Sequence, residues 1–188
     1  MTVMTATVQP SLAPGSGPFT RADLHNTPDD GRRYELIDGV LLVSSAPSLQ
    51  HQVALGNLYV DLRVLCPSGL RVILAPFAVA LAADTELQPD LLIAPVEQFT
   101  SKELPGGPLL AVEVLSPSTS RIDRLLKRDR LQEAGVPSYW LVDPLLPAVT
   151  VLELRAGGYV EVARVVGDER LVLEQPFPVT LTPLQLLR

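Results

Sequence analysis

Apolar residues recur along this chain in two different periods, and the switches between them mark its elements. Between positions 49 and 65, His51, Leu55, Leu58, Leu62 and Leu65 follow one another at spacings of 4, 3, 4 and 3. That is the repeat of one helix face, so a helix opening at Ser48 or Pro47 should turn this stripe, His51 included, toward a sheet. From Gly69 the pattern is extended: Leu70 to Leu81 is dense in Val, Ile, Leu and Phe and is interrupted near Pro76. The apolar runs 90–94 and 109–115 are joined by Pro95, Pro105, Gly106, Gly107 and Pro108, too broken for a crossover helix. They should therefore pair antiparallel and complete a three-stranded meander. A helix over 120–134 then leads to Ser138 to Asp143, expected as a buried strand parallel to 109–115, with Trp140 in the core.

The flanks carry hairpin signals. Arg33 to Ile37 and Val40 to Val43 surround Asp38-Gly39, a dipeptide that tolerates the positive φ angles of a type I′ turn. Thr20 can cap a short helix ending at Leu24. Beyond Pro144, the segments 149–154, 159–166 and 171–173 are separated by glycine-containing turns and lead to a short segment near Leu184. The fold class expected is α/β: a mixed β-sheet flanked by helices, with an added N-terminal hairpin and C-terminal antiparallel hairpins. The C-terminal hairpins are rich in Val and Leu and must cover something, a sheet edge or a second copy, so a homodimer is expected.

Composition bounds the picture. At 188 residues, 47% hydrophobic, the chain can bury a substantial core, and a single domain over 19–188 follows a disordered tail over 1–18. Cys66, the lone cysteine, offers no disulfide framework. With no run approaching the ~18 apolar residues of a membrane span and no secretory leader, the expected location is the cytoplasm and no membrane partner is expected. The net charge of −6 excludes a broad basic footprint for nucleic acid. Helix 120–134 is the local exception, with five Lys/Arg against three acids between Arg121 and Glu133.

Chemistry enters with two acids in apolar surroundings. Glu113 lies inside Leu109-Leu110-Ala111-Val112-Glu113-Val114-Leu115, and a buried carboxylate there costs several kcal/mol unless it is compensated. Antiparallel pairing brings Asp90, at the start of one strand, beside Glu113, near the end of the other. Two hard oxygen ligands converging in this way suit Mg²⁺ or Mn²⁺, and the Val114 carbonyl can add a third. Glu35 shares a strand face with Arg33 and Ile37 and is a third candidate acid, set against a solvated or Arg-paired glutamate. His51 is either a core histidine satisfied by a carbonyl or a site residue that orients phosphate, water or carboxylate. Asp123 and Lys127 read on spacing alone as an i,i+4 ion pair on a helix surface. Ser116 and Ser118 sit in no nucleophile elbow and read as caps. Phosphate-binding glycine loops and CxxC or HxxxH metal spacings are missing.

Several ordered motifs together give a resemblance. They are Tyr34-Glu35-Leu36-Ile37-Asp38-Gly39, Ala46-Pro47-Ser48 with His51, Pro89-Asp90, Glu113-Val114-Leu115-Ser116-Pro117-Ser118, Asp123 with Lys127, and Ala134-Gly135-Val136 leading into Tyr139-Trp140-Leu141-Val142-Asp143. The set resembles the PD-(D/E)xK nuclease superfamily, and more closely its short bacterial members of the Uma type, which are restriction-endonuclease-like. The resemblance implies a divalent-metal-dependent endonuclease acting on DNA, with Asp90, Glu113 and the Val114 carbonyl at the metal and Glu35, His51 and Lys127 completing the site. Leu115 stands where the simplest superfamily pattern has a lysine, and the resemblance gives that role to Lys127 on the helix. With Ile122, Leu125 and Leu126 packed inward, Lys127 would sit at the border of the buried face. Lys127→Ala should then spare folding and divalent binding while reducing cleavage, and Arg128 on the outer face should serve nucleic-acid binding. The alternative is a catalytically silent metal- or nucleic-acid-binding module of the same fold, acting as a regulatory or antitoxin-like partner.

Overall fold

The computed structural model describes residues 18–188, so the expected tail over 1–18 lies, but for Pro18, outside the described residues. The chain enters through the short helix α1 (Arg21–Leu24), whose N-cap Thr20 gives both its N–H and its hydroxyl to Asp23, at 2.8 and 2.7 Å. Strands β1 (Arg33–Ile37) and β2 (Val40–Ser44) form the expected hairpin, with Ile37 opposite Val40. Asp38 and Gly39 both have positive φ, 53° and 73°, as a type I′ turn requires. Gly39 is also needed for space: a Cβ there would lie 2.4 Å from that of Pro18.

Helix α2 (Leu49–Leu65) starts where Ser48 Oγ accepts the His51 N–H at 3.2 Å. His51, Ala54, Leu55, Leu58 and Leu62 are buried along it, and the stripe ends one turn early because Leu65 is exposed. The extended segment 70–81 is not one strand. It divides into β3 (Leu70–Leu74) and β4 (Ala78–Ala82), which belong to different sheets. Pro76 lies between them, and a residue without an N–H cannot continue a ladder. Next come β5 (Thr85–Leu87), β6 (Leu91–Pro95), a 3-10 turn at Val96–Gln98, β7 (Glu103–Pro105) and β8 (Leu110–Val114). The helical segment consists of α3 (Ser120–Ile122), a π-helical stretch Asp123–Lys127, and α4 (Arg128–Glu133). Strands β9 (Ser138–Asp143), β10 (Ala148–Arg155), β11 (Gly158–Val166), β12 (Leu171–Leu173) and β13 (Val179–Leu181) precede a closing 3-10 turn, Pro183–Leu187.

The main sheet runs in the order β11-β10-β9-β8-β6-β3. The meander β3-β6-β8 is antiparallel, and β8 to β9 is parallel across the helical crossover, as the sequence predicts. A second sheet has the order β2-β1-β5-β4-β7. Strands β5 and β7 have three residues each and no usable alternation, which is why they are silent in the sequence.

Pleating divides the main sheet into two faces. Leu110, Val112 and Val114 of β8, with Leu91 and Ile93 of β6, pack on Leu55, Leu58 and Leu62 of α2. The C-terminal Leu171, Phe177, Val179, Leu181 and Leu186 join that cluster. Asn57 of α2 fastens the terminus by donating to the carbonyls of Leu186 and Arg188 at 3.0 and 2.8 Å. The apolar C-terminal segment is thus largely spent on the interior of its own chain. On the opposite face, Ala111, Leu115, Tyr139 and Leu141 meet Leu131 of α4 and Ile37 and Leu87 of the second sheet. This face carries the polar cluster described next.

Candidate active site

Asp90 immediately precedes β6, and Glu113 lies in β8. The last paired position of these strands is Leu91 opposite Val112, and the same register carried one residue further sets Asp90 opposite Glu113. Both share pleat parity with Leu92 and Ala111, so they face the second sheet and the helical segment. On β1, Arg33 and Glu35 share parity with Ile37, which packs into that same interface. The crossover begins at the end of β8 and brings Asp123 and Lys127 over it. His51 arrives from the first turn of α2.

The contacts form one connected network. Lys127 Nζ lies 2.9 Å from Glu113 Oε1, 3.0 Å from Glu35 Oε2 and 3.5 Å from Asp123 Oδ1. Asp90 Oδ2 accepts the Val114 N–H at 2.8 Å and lies 3.0 Å from His51 Nε2. Asp90 Oδ1 accepts from Arg33 at 2.7 Å, and Arg33 Nε lies 3.8 Å from Glu35. The Gln88 N–H donates to Glu35 Oε1 at 2.7 Å. Because the N–H and carbonyl of one strand residue point to the same edge, the Val114 carbonyl is directed to the Asp90 side.

The family model described as "Uma2: Putative restriction endonuclease" matches residues 21–186. The chain belongs to the Uma2 family. No curated protein matches it. Among solved structures, a putative nuclease belonging to DUF820 from Anabaena variabilis is similar, with a TM-score of 0.70 and 18% identity over 90% of this chain and 98% of that one. At that identity the likeness shows the fold: the mixed α/β, nuclease-like architecture expected from the sequence. No helix among the described residues is long and apolar enough to cross a membrane.

In this Uma2 chain, every residue singled out from the sequence for the site (Glu35, Asp90, Glu113, Val114, His51 and Lys127) lies in or borders the network, and all are buried. Burial opposes ionisation of Asp90, but the His51 hydrogen bond and the Arg33 guanidinium outweigh it and hold the carboxyl far below the usual range. For Glu113 burial prevails: despite Lys127, it and the neighbouring acids push the carboxyl well up. Asp123 is raised for the same reason. Burial works against the Lys127 ammonium, yet Glu113, Glu35 and Asp123 together raise its pKa. Four carboxylates (Glu35, Asp90, Glu113, Asp123) thus share Lys127 and Arg33, and both Asp123 oxygens are buried without a hydrogen-bond partner among the described residues. Four carboxylates against two cations make a cluster whose oxygen donors are of the type a hard divalent ion takes.

Three expectations are corrected. Leu125 and Leu126 do not pack inward but are 48% and 46% exposed, while Asp123 and Lys127 are buried. The π-helical turn spanning these residues re-aims the face, and π turns of this kind are frequent at functional sites. Asp123 and Lys127 are accordingly not a surface ion pair. Arg128 is not a free outer-face cation: it is half-buried, donates to the Tyr159 carbonyl at 3.3 Å, and ties the helix to β11. The N-cap of α3 is Thr119, without a side-chain cap bond; the Ser116 hydroxyl accepts the N–H of that residue at 3.3 Å, and Ser118 pairs with Ser116.

Sequence reasoning assigned no role to Arg33, and it placed Asp123 in the resembled motif with Lys127 without making it a site residue. The available signal was the two-residue spacing of Arg33 and Glu35, which puts a cation on the same face as a candidate acid. Among the described residues a different polar group, His25, Glu86 and Glu103, has its ligand atoms close enough together to hold a cation. There, however, Arg21 already lies 2.6 Å from Glu86 and bonds Glu103, fastening α1 to the second sheet.

Proposed function

We propose that this chain is a divalent-metal-dependent endonuclease that hydrolyses phosphodiester bonds of DNA, acting as a single domain over 19–188. The observation that carries the reading is the convergence of Asp90, Glu113, Glu35 and Lys127 from four separate elements. Asp90, Glu113 and the Val114 carbonyl would hold Mg²⁺ or Mn²⁺, which when bound supplies Lewis-acid stabilisation of charge developing at phosphorus. His51 and the Val114 N–H fix the orientation of Asp90. Glu35, itself held by the Gln88 N–H, positions Lys127. The Lys127 ammonium offsets phosphate charge and orients the attacking water.

The silent-module alternative draws on a specific observation as well. Both Asp90 oxygens are already bonded, and Lys127 has only 2% of its side chain exposed. Such a site is closed at rest, as a structural ion cluster would be. Nicking of supercoiled plasmid separates the two readings. Mg²⁺- or Mn²⁺-dependent nicking is expected, with Glu113→Gln reducing it on the order of 100-fold or more, since even partners one shell outside a metal cost 10–100-fold. Glu35 and Asp123 still pair Lys127 in that variant, so it should stay folded. Metal binding without cleavage of any nucleic acid would favour the module.

A homodimer belongs to the same proposal, since two sites would let both strands of a duplex be cut. With most of the C-terminal apolar residues buried, one surface open to it is the edge strand β11, where Val160 and Val166 are exposed. Light scattering at high concentration should return twice the chain mass; a monomer mass would remove this part.

A further inference from the structure

Asp90 carries two commitments of different kinds. Its Oδ2 is fixed by the Val114 N–H of the neighbouring strand and by His51, both anchored in regular elements. Among the described residues its Oδ1 is held by Arg33 alone, at 2.7 Å. Arg33 in turn has few other attachments: the Gln88 carbonyl at 3.4 Å and Glu35 at 3.8 Å. The two cations of the cluster also differ in access. Lys127 is enclosed by three carboxylates with 2% of its side chain exposed, whereas Arg33, at the start of β1, has 23% exposed.

We infer that Arg33 is a latch on the metal site: at rest its guanidinium occupies the Asp90 oxygen that a divalent ion would take, and once displaced it turns to bind a phosphate of the DNA. The inference rests on the metal-dependent reading above and adds a substrate-binding residue to it. A cation arriving at Asp90 must remove the one partner that can leave. The Val114 N–H is fixed by the backbone of β8, and the His51 ring is confined by burial, with 6% of the residue exposed. Arg33 can, because its side chain is partly exposed and, among the described residues, its other partners lie further off, at 3.4 and 3.8 Å. Once released, its planar fork of donors matches the paired oxygens of a phosphate better than an ammonium would. Metal and DNA binding are then coupled through one side chain, and the closed resting cluster becomes a state that the ion opens.

The test is Mn²⁺ titration of the full chain by calorimetry, paired with binding of a short DNA duplex across a salt series with and without Ca²⁺. Arg33→Met should bind Mn²⁺ about tenfold more tightly than wild type, because no guanidinium has to be displaced. In Ca²⁺ it should lose about one unit of the salt slope, the contribution of one phosphate contact. Arg33→Gln, which keeps a neutral donor for Asp90, serves if the methionine variant folds poorly and should shift both readouts in the same directions. Arg21→Met, which removes an equal charge at the Glu86–Glu103 cluster, should leave Mn²⁺ affinity within twofold. Equal or weaker Mn²⁺ binding by both Arg33 variants, an unchanged salt slope, or equal tightening by Arg21→Met would overturn the latch while leaving the metal site standing. Absence of Mn²⁺ uptake by the wild type would instead remove the metal-dependent reading and the latch with it.

Discussion

Lys127→Met should lower stability by about 3–5 kcal/mol, the usual cost of removing one partner from a buried ion pair. For a chain of this length that amounts to roughly 10 °C in melting temperature. The reason is the company the ammonium keeps. Its departure leaves Glu113, Glu35 and Asp123 facing one another, all buried, with Arg33 as the remaining cation nearby. The sequence argued for the opposite outcome, an intact fold after Lys127→Ala, because a lysine at the border of a helix face can be lost cheaply. Burial on all sides reverses that expectation. Millimolar Mg²⁺ or Mn²⁺ should restore part of the loss, and should stabilise the variant more than the wild type, since a divalent ion replaces the missing charge. Thermal melts with and without the ion measure both effects. A variant that melts within a degree or two of wild type would make Lys127 a solvated partner of Asp123 and return the question of the site's cation to Arg33.

The contrast shows which parts of this structure the sequence could express. Asp90 and Glu113 could be brought together from the sequence because antiparallel pairing of two neighbouring runs fixes which ends meet, whatever the detailed register. His51 was legible as an inward residue because it continues a leucine stripe at helical spacing. The helix expected over 120–134 was legible in its position but not in its facing, since hydrophobic periodicity assumes that leucines seek the interior. Here Leu125 and Leu126 are displaced outward by Asp123 and Lys127. What outweighs two leucines is a set of partners supplied from outside the helix, by β8 just before it and by β1 far away in sequence. No pattern confined to the helix can encode partners that only the tertiary fold delivers. The same holds for β5 and β7, whose three residues pair only because β4 and β1 are already in place. Arg33 belongs with these. Its spacing from Glu35 marked a face, but its bond to Asp90 crosses from one sheet to the other.

Asp90→Asn should abolish divalent binding and also destabilise the fold, although it replaces an atom with one of nearly the same size. Three groups converge on the carboxylate. The Val114 N–H and Arg33 can only donate, and His51 Nε2 lies at hydrogen-bond distance. A carboxylate accepts at both oxygens, whereas an amide offers one acceptor and turns an NH₂ toward whatever lies on the other side. If the amide oxygen keeps the Val114 N–H, then the NH₂ faces Arg33, and a charged donor is left without its acceptor. If it keeps Arg33, the NH₂ meets a backbone N–H inside the sheet. Either arrangement leaves a buried donor unsatisfied, at about 1–3 kcal/mol, more where the donor is charged. His51 can absorb part of this by presenting its ring nitrogen as an acceptor, so the loss should be smaller than for Lys127→Met. Chemical denaturation gives the first readout and calorimetric titration with Mn²⁺ the second. The two must move together, because one carboxylate serves both purposes. Asp90→Asn with wild-type Mn²⁺ uptake would place the ion elsewhere in the cluster, on Glu35, Glu113 and Asp123, and Asp90 would then be a structural clamp joining β6, β8, α2 and β1.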